Sequence, residues 1–255
     1  MKKICRIVSG LLALAAFAVH ADTSPVQDAL KKNLPSIKAD SINPSPIKGV
    51  YEVVVGARLF YVSEDGRYLM QGSMVDLVSR EDVTEKKLTK VRLDAINKIG
   101  VDNMIVFKPK IQKHVAYVFT DIDCGYCRKL HSEMEQYLKE GIEIRYMFFP
   151  RAGEDSDSYR KAVTVWCAKD RNAALTRAKN GENLANKDCK NPVRDHMALA
   201  MAMGANGTPM IVTDKGIVLP GYVPAAQLTK EMEDKPAQDP APASAPAADV
   251  KDEKK

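Results

Sequence analysis

At 255 residues, with 45% apolar and 28% charged side chains, the chain has the composition of a globular protein, not of a disordered or fibrous one. Three units of its net charge of +5 come from the first 21 residues, so the remainder carries little charge and lacks the basic footprint of a nucleic-acid-binding protein. Beyond those residues no stretch reaches the ~20 apolar positions a transmembrane helix needs.

The chain opens with Lys2, Lys3 and Arg6, an apolar run over 7–19, and Val19-His20-Ala21 before Asp22, the layout of a secretory signal peptide over 1–21. A lipoprotein anchor would place a small residue and then a cysteine at the end of that run, which this chain does not. Cys5 leaves with the signal; an even number of remaining cysteines in an oxidising compartment suggests two disulfides. Residues 22–81 read as a small α+β domain: a helix over 26–33, then strands over 51–55, 59–62, 68–71 and 74–78, with Ser63-Glu64-Asp65-Gly66 as a hairpin turn. So few strands bury little on their own, and dimerisation is the economical cover.

Leu88, Val91, Leu93, Ile96 and Ile99, spaced among charged residues, predict an amphipathic helix over 82–99 with Thr84 available as its cap. It reads either as a linker, assigned to 82–102, or as the first helix of a second domain. Residues 103–234 give strand 115–120, helix 126–139, strand 142–148, helical segments over 155–203, strand pieces at 210–212 and 217–219, and a last helix from Pro224 through Met232. From 235 to 255 proline, alanine and charge alternate, a composition that predicts disorder.

Cys124-Gly125-Tyr126-Cys127 falls between the strand run ending at Thr120 and a helical run. A helix start turns unsatisfied N–H groups and partial positive charge toward the first cysteine. A free thiol has a pKa of ~8.5, whereas thiols in such motifs fall to roughly 3.5–7.5, and the thiolate is the nucleophile. Cys124 is therefore the expected nucleophile and Cys127, a turn further in, the shielded resolving thiol. A static disulfide or half of a zinc site are the bland alternatives, although zinc wants two further ligands.

The run Phe119 to His131 around this motif, Trp166-Cys167-Ala168-Lys169-Asp170, and Gly207-Thr208-Pro209 together resemble the DsbC family of bacterial periplasmic thiol:disulfide interchange proteins. Gly66-Arg67-Tyr68-Leu69-Met70-Gln71-Gly72 and Pro220-Gly221-Tyr222 extend the resemblance over nearly the whole mature chain. It implies an α+β N-terminal dimerisation domain, a helical linker and an α/β thioredoxin-like domain with a helical insertion, assembled as a V-shaped homodimer around a cleft for misfolded exported proteins. It also implies that Pro209 is cis and lies against the CxxC motif, with Thr208, Pro209, Gly125 and Tyr126 meeting substrate. A plain turn before the strand at Met210 is the alternative for Thr208-Pro209. No cofactor or metal is expected.

Cys167 and Cys189 enclose a charged helical stretch and read as a structural disulfide; a second redox pair, or zinc ligands joined with Cys124, are the rivals. His131 and His114 read as packing or surface residues. The position six before Cys124, a buried carboxylate in thioredoxin, is Val118, so proton handling must come from elsewhere, with Asp121, Asp123 or water as candidates. Asp123, beside Cys124, is expected to oppose its ionisation.

The activity so implied is disulfide isomerisation in the periplasm, accompanied by chaperone activity and kept reduced by a DsbD-type inner-membrane reductase, since an oxidised pair offers no nucleophile. A holdase chaperone, or a net oxidant or reductase on the same fold, are the alternatives; potentials of roughly −120 mV for a strong oxidant and −180 mV for a disulfide isomerase separate the redox roles.

Overall fold

In the computed structural model, which describes residues 23–233, two sheets form, joined by one long helix. The leader expected over 1–21 and the whole of the tail, 235–255, lie outside the described residues.

The first sheet is antiparallel in the order β1 (Ser41–Pro44), β2 (Val50–Val55), β3 (Arg58–Ser63), β4 (Leu69–Met70). Alternation along β2 and β3 gives each face its own partner. Tyr51, Val53 and Val62 pack on Val26 and Leu30 of α1 (Ser24–Asn33), while Val54, Leu59 and Tyr61 meet Val91 of α2 (Val83–Ile99). Gly66, with φ +67, makes the β3–β4 turn; a Cβ there would stand 2.1 Å from the Ala29 side chain on α1.

One strand here has no counterpart in the sequence reading, and two local expectations fail. Strand β1 carries only Ile42 as an apolar residue and gives no pattern to read. Residues 74–78 are not a strand: the Asp76 carboxylate accepts from the Val78 and Ser79 N–H groups and turns the chain, leaving Leu77 and Val78 exposed and only a bridge from Val75 to Asp82. Thr84 is no cap either. Asp82 Oδ1 accepts from Glu85 N–H at 2.8 Å, while the buried Thr84 hydroxyl bonds Tyr61 and the Met74 N–H.

Helix α2 serves both neighbours, with Val91 on the first sheet and Ala95 and Ile96 in the larger core. Arg92 pairs with Glu85 and donates to the Gly216 carbonyl at 3.2 Å. Gly216 is required there on two counts: φ is +78, and a Cβ would lie 2.1 Å from the Thr89 carbonyl oxygen of α2.

The second sheet has the order β5-β7-β6-β8-β9, from β5 (Ile105–Phe107), β6 (His114–Thr120), β7 (Ile142–Phe148), β8 (Met210–Thr213) and β9 (Val218–Pro220). Strands β6 and β7 are parallel and the other pairs antiparallel. The β6–β7 crossover is α3 (Gly125–Ser132) and α4 (Met134–Lys139), which the sequence reads as one helix; α5 (Asp157–Trp166), α6 (Arg171–Lys179) and α7 (Val193–Ala202) form the insertion, and α8 (Ala225–Glu233) closes the domain. This is the expected thioredoxin-like arrangement with a helical insertion. Its core runs through Val118, Phe119, Ile144, Tyr146 and Ile211, and the C-terminal end of buried β6 delivers the chain to Cys124.

Candidate active site

Strand β6 ends at Thr120, and the loop 121–124 turns into α3 with Cys124 at its N-cap and Cys127 inside its first turn. Both are free thiols and both are buried. Opposite them, the Thr208–Pro209 peptide bond is cis, and Cys124 Sγ donates to the Thr208 carbonyl at 3.2 Å. The two motifs are 84 residues apart in sequence and come together because β8 pairs with β6, setting Phe119 against Met210.

Burial alone pushes the Cys124 thiol up, but Thr208, the N–H and thiol of Cys127, and the Arg151 charge together outweigh it, and its pKa lies below the ordinary cysteine value. Cys127 shows the opposite balance. Burial pushes it up, and Lys179, Thr120 and the Asp121 backbone offset only part of that. The Thr208 hydroxyl is buried with no hydrogen bond of normal geometry and stands near enough to both sulfurs to favour their ionised forms. The pair is thus split into one thiol disposed to ionise and one held protonated, the assignment a nucleophile and a resolving thiol require.

The expected opposition from Asp123 is neutralised: its carboxylate pairs with Lys161 at 2.8 Å and Arg128 at 3.1 Å. Asp121 is the buried carboxylate of the site. It accepts from Ser158 Oγ, the Asp123 N–H, and both N–H and Nε of Arg151; although burial pushes its pKa up, these donors hold it below the usual carboxylate value. A group so held is a fixed anion, not a proton carrier.

The remaining site residues frame the opening. A Cβ on Gly125 would meet nothing within 4 Å, so the space above the motif is free. Tyr126 is 64% exposed and its ring stacks on Tyr222 at 6.4 Å, which also meets the Lys129 ammonium at 4.5 Å and donates to the Glu133 carboxylate. Cys167, at the C-terminal end of α5, and Cys189 are bonded to each other. His131 is buried between Tyr146 and Thr176, and His114 bonds Asp214. Sequence reasoning missed Arg151, Ser158 and Lys179, which reach the site from the loop after β7 and from α5 and α6 and carry no local signature.

The family model of the disulfide bond isomerase protein N-terminal domain matches residues 17–85, and that of the thioredoxin-like domain matches residues 101–236. The thiol:disulfide interchange protein DsbC of Escherichia coli is 38% identical over 236 residues, spanning 92% of this chain and 97% of that relative. Its counterpart in Haemophilus influenzae is 37% identical over 233 residues, 90% of this chain and 98% of the relative, and the probable DsbC of Bordetella avium is 28% identical over 213 residues, 82% and 75%.

Proposed function

This chain belongs to the DsbC family of thiol:disulfide interchange proteins, and from that premise we propose that it isomerises non-native disulfides in exported proteins. Cys124 is the nucleophile. Its thiolate attacks one sulfur of a wrong disulfide, forming a mixed disulfide and releasing the other substrate sulfur as a thiolate. A second substrate thiol then attacks the mixed disulfide and leaves a rearranged pair, or Cys127 attacks Cys124 and releases the substrate reduced.

The observation that carries this reading is the placement of two free thiols, Cys124 at the N-cap of α3 against the cis Thr208–Pro209 bond and Cys127 buried one turn further in, and the opposite electrostatic balance at the two sulfurs agrees with it. Thr208 and Pro209 line the approach and pair with an extended substrate segment, Gly125 leaves the way to sulfur open, and Tyr126 on Tyr222 supplies an aromatic seat. Cys167–Cys189 is structural. We assign 1–21 as the signal peptide, 22–81 as the dimerisation domain, 82–102 as the linker helix, 103–234 as the catalytic domain and 235–255 as the tail. The compartment is the periplasm, the assembly a homodimer whose cleft also holds unfolded chains, and the electron donor an inner-membrane reductase of the DsbD type.

Reshuffling of scrambled ribonuclease tests the reading. Wild-type protein should restore ribonuclease activity and Cys124→Ser should not; equal rates for the two would refute the proposed role.

A further inference from the structure

Lys179, the last residue of α6, is 3% exposed, and among the described residues no carboxylate is ion-paired with its ammonium. A buried cation persists only where other charges or hydrogen bonds compensate it. Nζ donates to Thr120 Oγ1 at 2.7 Å and to the Asp121 carbonyl at 2.8 Å. The charges that favour it are Cys127, Asp121 and Cys124; the Asp121 carboxylate is already engaged by Arg151 and Ser158, while Arg128 opposes it and His131 faces it from α3. Cys127 also faces Tyr146 of β7 and the Arg151 charge. Thr120 stands between the two groups: its hydroxyl accepts from Lys179 and favours the ionised Cys127 sulfur.

We propose that Lys179 is the positioning residue that manages the Cys127 proton, exchanging it through the Thr120 hydroxyl, so that the resolving thiol ionises once Cys124 has given its charge to a substrate. This rests on the redox reading above and adds to it the proton route that Val118 does not supply. Burial pushes Lys179 down to about 8, so that part of the amine is neutral near neutral pH and able to accept a proton.

While Cys124 is a thiolate, its charge keeps Nζ protonated. Mixed-disulfide formation removes that charge, and the ammonium gives up a proton to solvent. The neutral amine then accepts the Oγ1 proton of Thr120 as Oγ1 accepts the proton of Cys127. The Cys127 thiolate attacks Cys124 Sγ, the Cys124–Cys127 bond forms, the bond to substrate breaks, and the electron pair leaves on the substrate sulfur, which takes a proton from water. The enzyme dithiol is oxidised and the substrate disulfide reduced to two thiols.

The test uses the reduced full chain and oxidised glutathione. Release of the first glutathione reports capture by Cys124; release of the second reports resolution by Cys127. Lys179→Met and Thr120→Val are expected to slow the second release about ten-fold or more at neutral pH and to move its pH midpoint upward, with the first release changed less than about two-fold. Lys179→Arg, which keeps the charge but holds its proton, stays slow. In the wild type, nuclear magnetic resonance of the Lys179 ε-carbon and Cys127 β-carbon should show the two titrating together, a measurement that stands even if a variant fails to fold. A normal second release in Lys179→Met and Thr120→Val, full rescue by arginine, or independent titration of the two groups overturns the proposal. Loss of the first release in wild-type protein would count against the redox reading itself.

Discussion

Arg151 holds Asp121 with two donors, its N–H at 3.0 Å and its Nε at 3.1 Å, both on Oδ2. The carboxylate is thereby a buried anchor for a guanidinium whose charge acts on the Cys124 and Cys127 sulfurs. The loop after β7 thus becomes part of the electrostatics of a motif at the end of β6.

Replacing Arg151 by Met should raise the Cys124 pKa and slow alkylation of Cys124 by iodoacetamide at pH values below the midpoint. The side chain is 48% exposed, so water and salt screen it, and the expected loss is a few-fold, ~0.5–1 kcal/mol. Alkylation rate against pH measures this directly; an unmoved midpoint would remove Arg151 from the site.

His131 and His196 set the acid limit of the fold. His196 accepts from the Phe148 N–H at Nδ1 and donates from Nε2 to the Asn103 carbonyl, and burial pushes both imidazoles down to about 4. Since the folded pKa lies below the unfolded value of ~6.5, the unfolded chain takes the proton first. Stability is therefore full above that value and falls as pH drops toward 4, by up to ~3 kcal/mol per histidine. Urea unfolding across this range should show the decline, and His196→Asn should remove about half of it, leaving the His131 share; a flat wild-type profile would show that neither histidine is held neutral.

How much of this molecule is legible in its sequence depends on how local each signal is. Strands β2, β3, β6 and β7 carry long apolar patterns because at least one face is buried along most of their length. Strand β5 has three residues and β1 four, too short for a period to register, and Val75, Leu77 and Val78 imitate a strand until Asp76 turns the chain. The CxxC motif and Thr208-Pro209 are readable because each is a compact motif. Lys179 looks like any lysine in a charged helix; only the packing of α6 near the end of β6 makes it a buried cation.

The Cys167–Cys189 bond closes a loop with a sequence separation of 22, which the chain-entropy model values at ~3–3.5 kcal/mol. Replacing both cysteines by alanine should lower the melting temperature by roughly 6–14 °C while Cys124 alkylates at its usual rate. Loss of alkylation at temperatures where the variant is folded would show that the bond shapes the site as well as stabilising it.

Tyr68, Leu69 and Met70 at the edge of the first sheet are exposed at 58%, 45% and 45%, the apolar edge a second copy would cover. Sedimentation at micromolar concentration should give the mass of two chains, and Leu69→Lys with Met70→Glu should give one. A wild-type monomer would leave that edge without its proposed occupant.

Gly216 couples α2 to the domain of the second sheet, and a paired substitution separates its two roles. Gly204 has a similar backbone, φ +81, but a Cβ there meets nothing within 4 Å, whereas at Gly216 it would strike the Thr89 carbonyl. Gly204→Ala should cost only the left-handed backbone penalty, ~1–2 kcal/mol. Gly216→Ala should cost that and a further ~1–3 kcal/mol of overpacking, because α2 must move away and loosen the Arg92 contact with the Gly216 carbonyl. Urea unfolding of the two variants gives the difference. Equal losses would mean that α2 yields freely at Thr89, and the helix would then be a hinge instead of a fixed strut between the sheets.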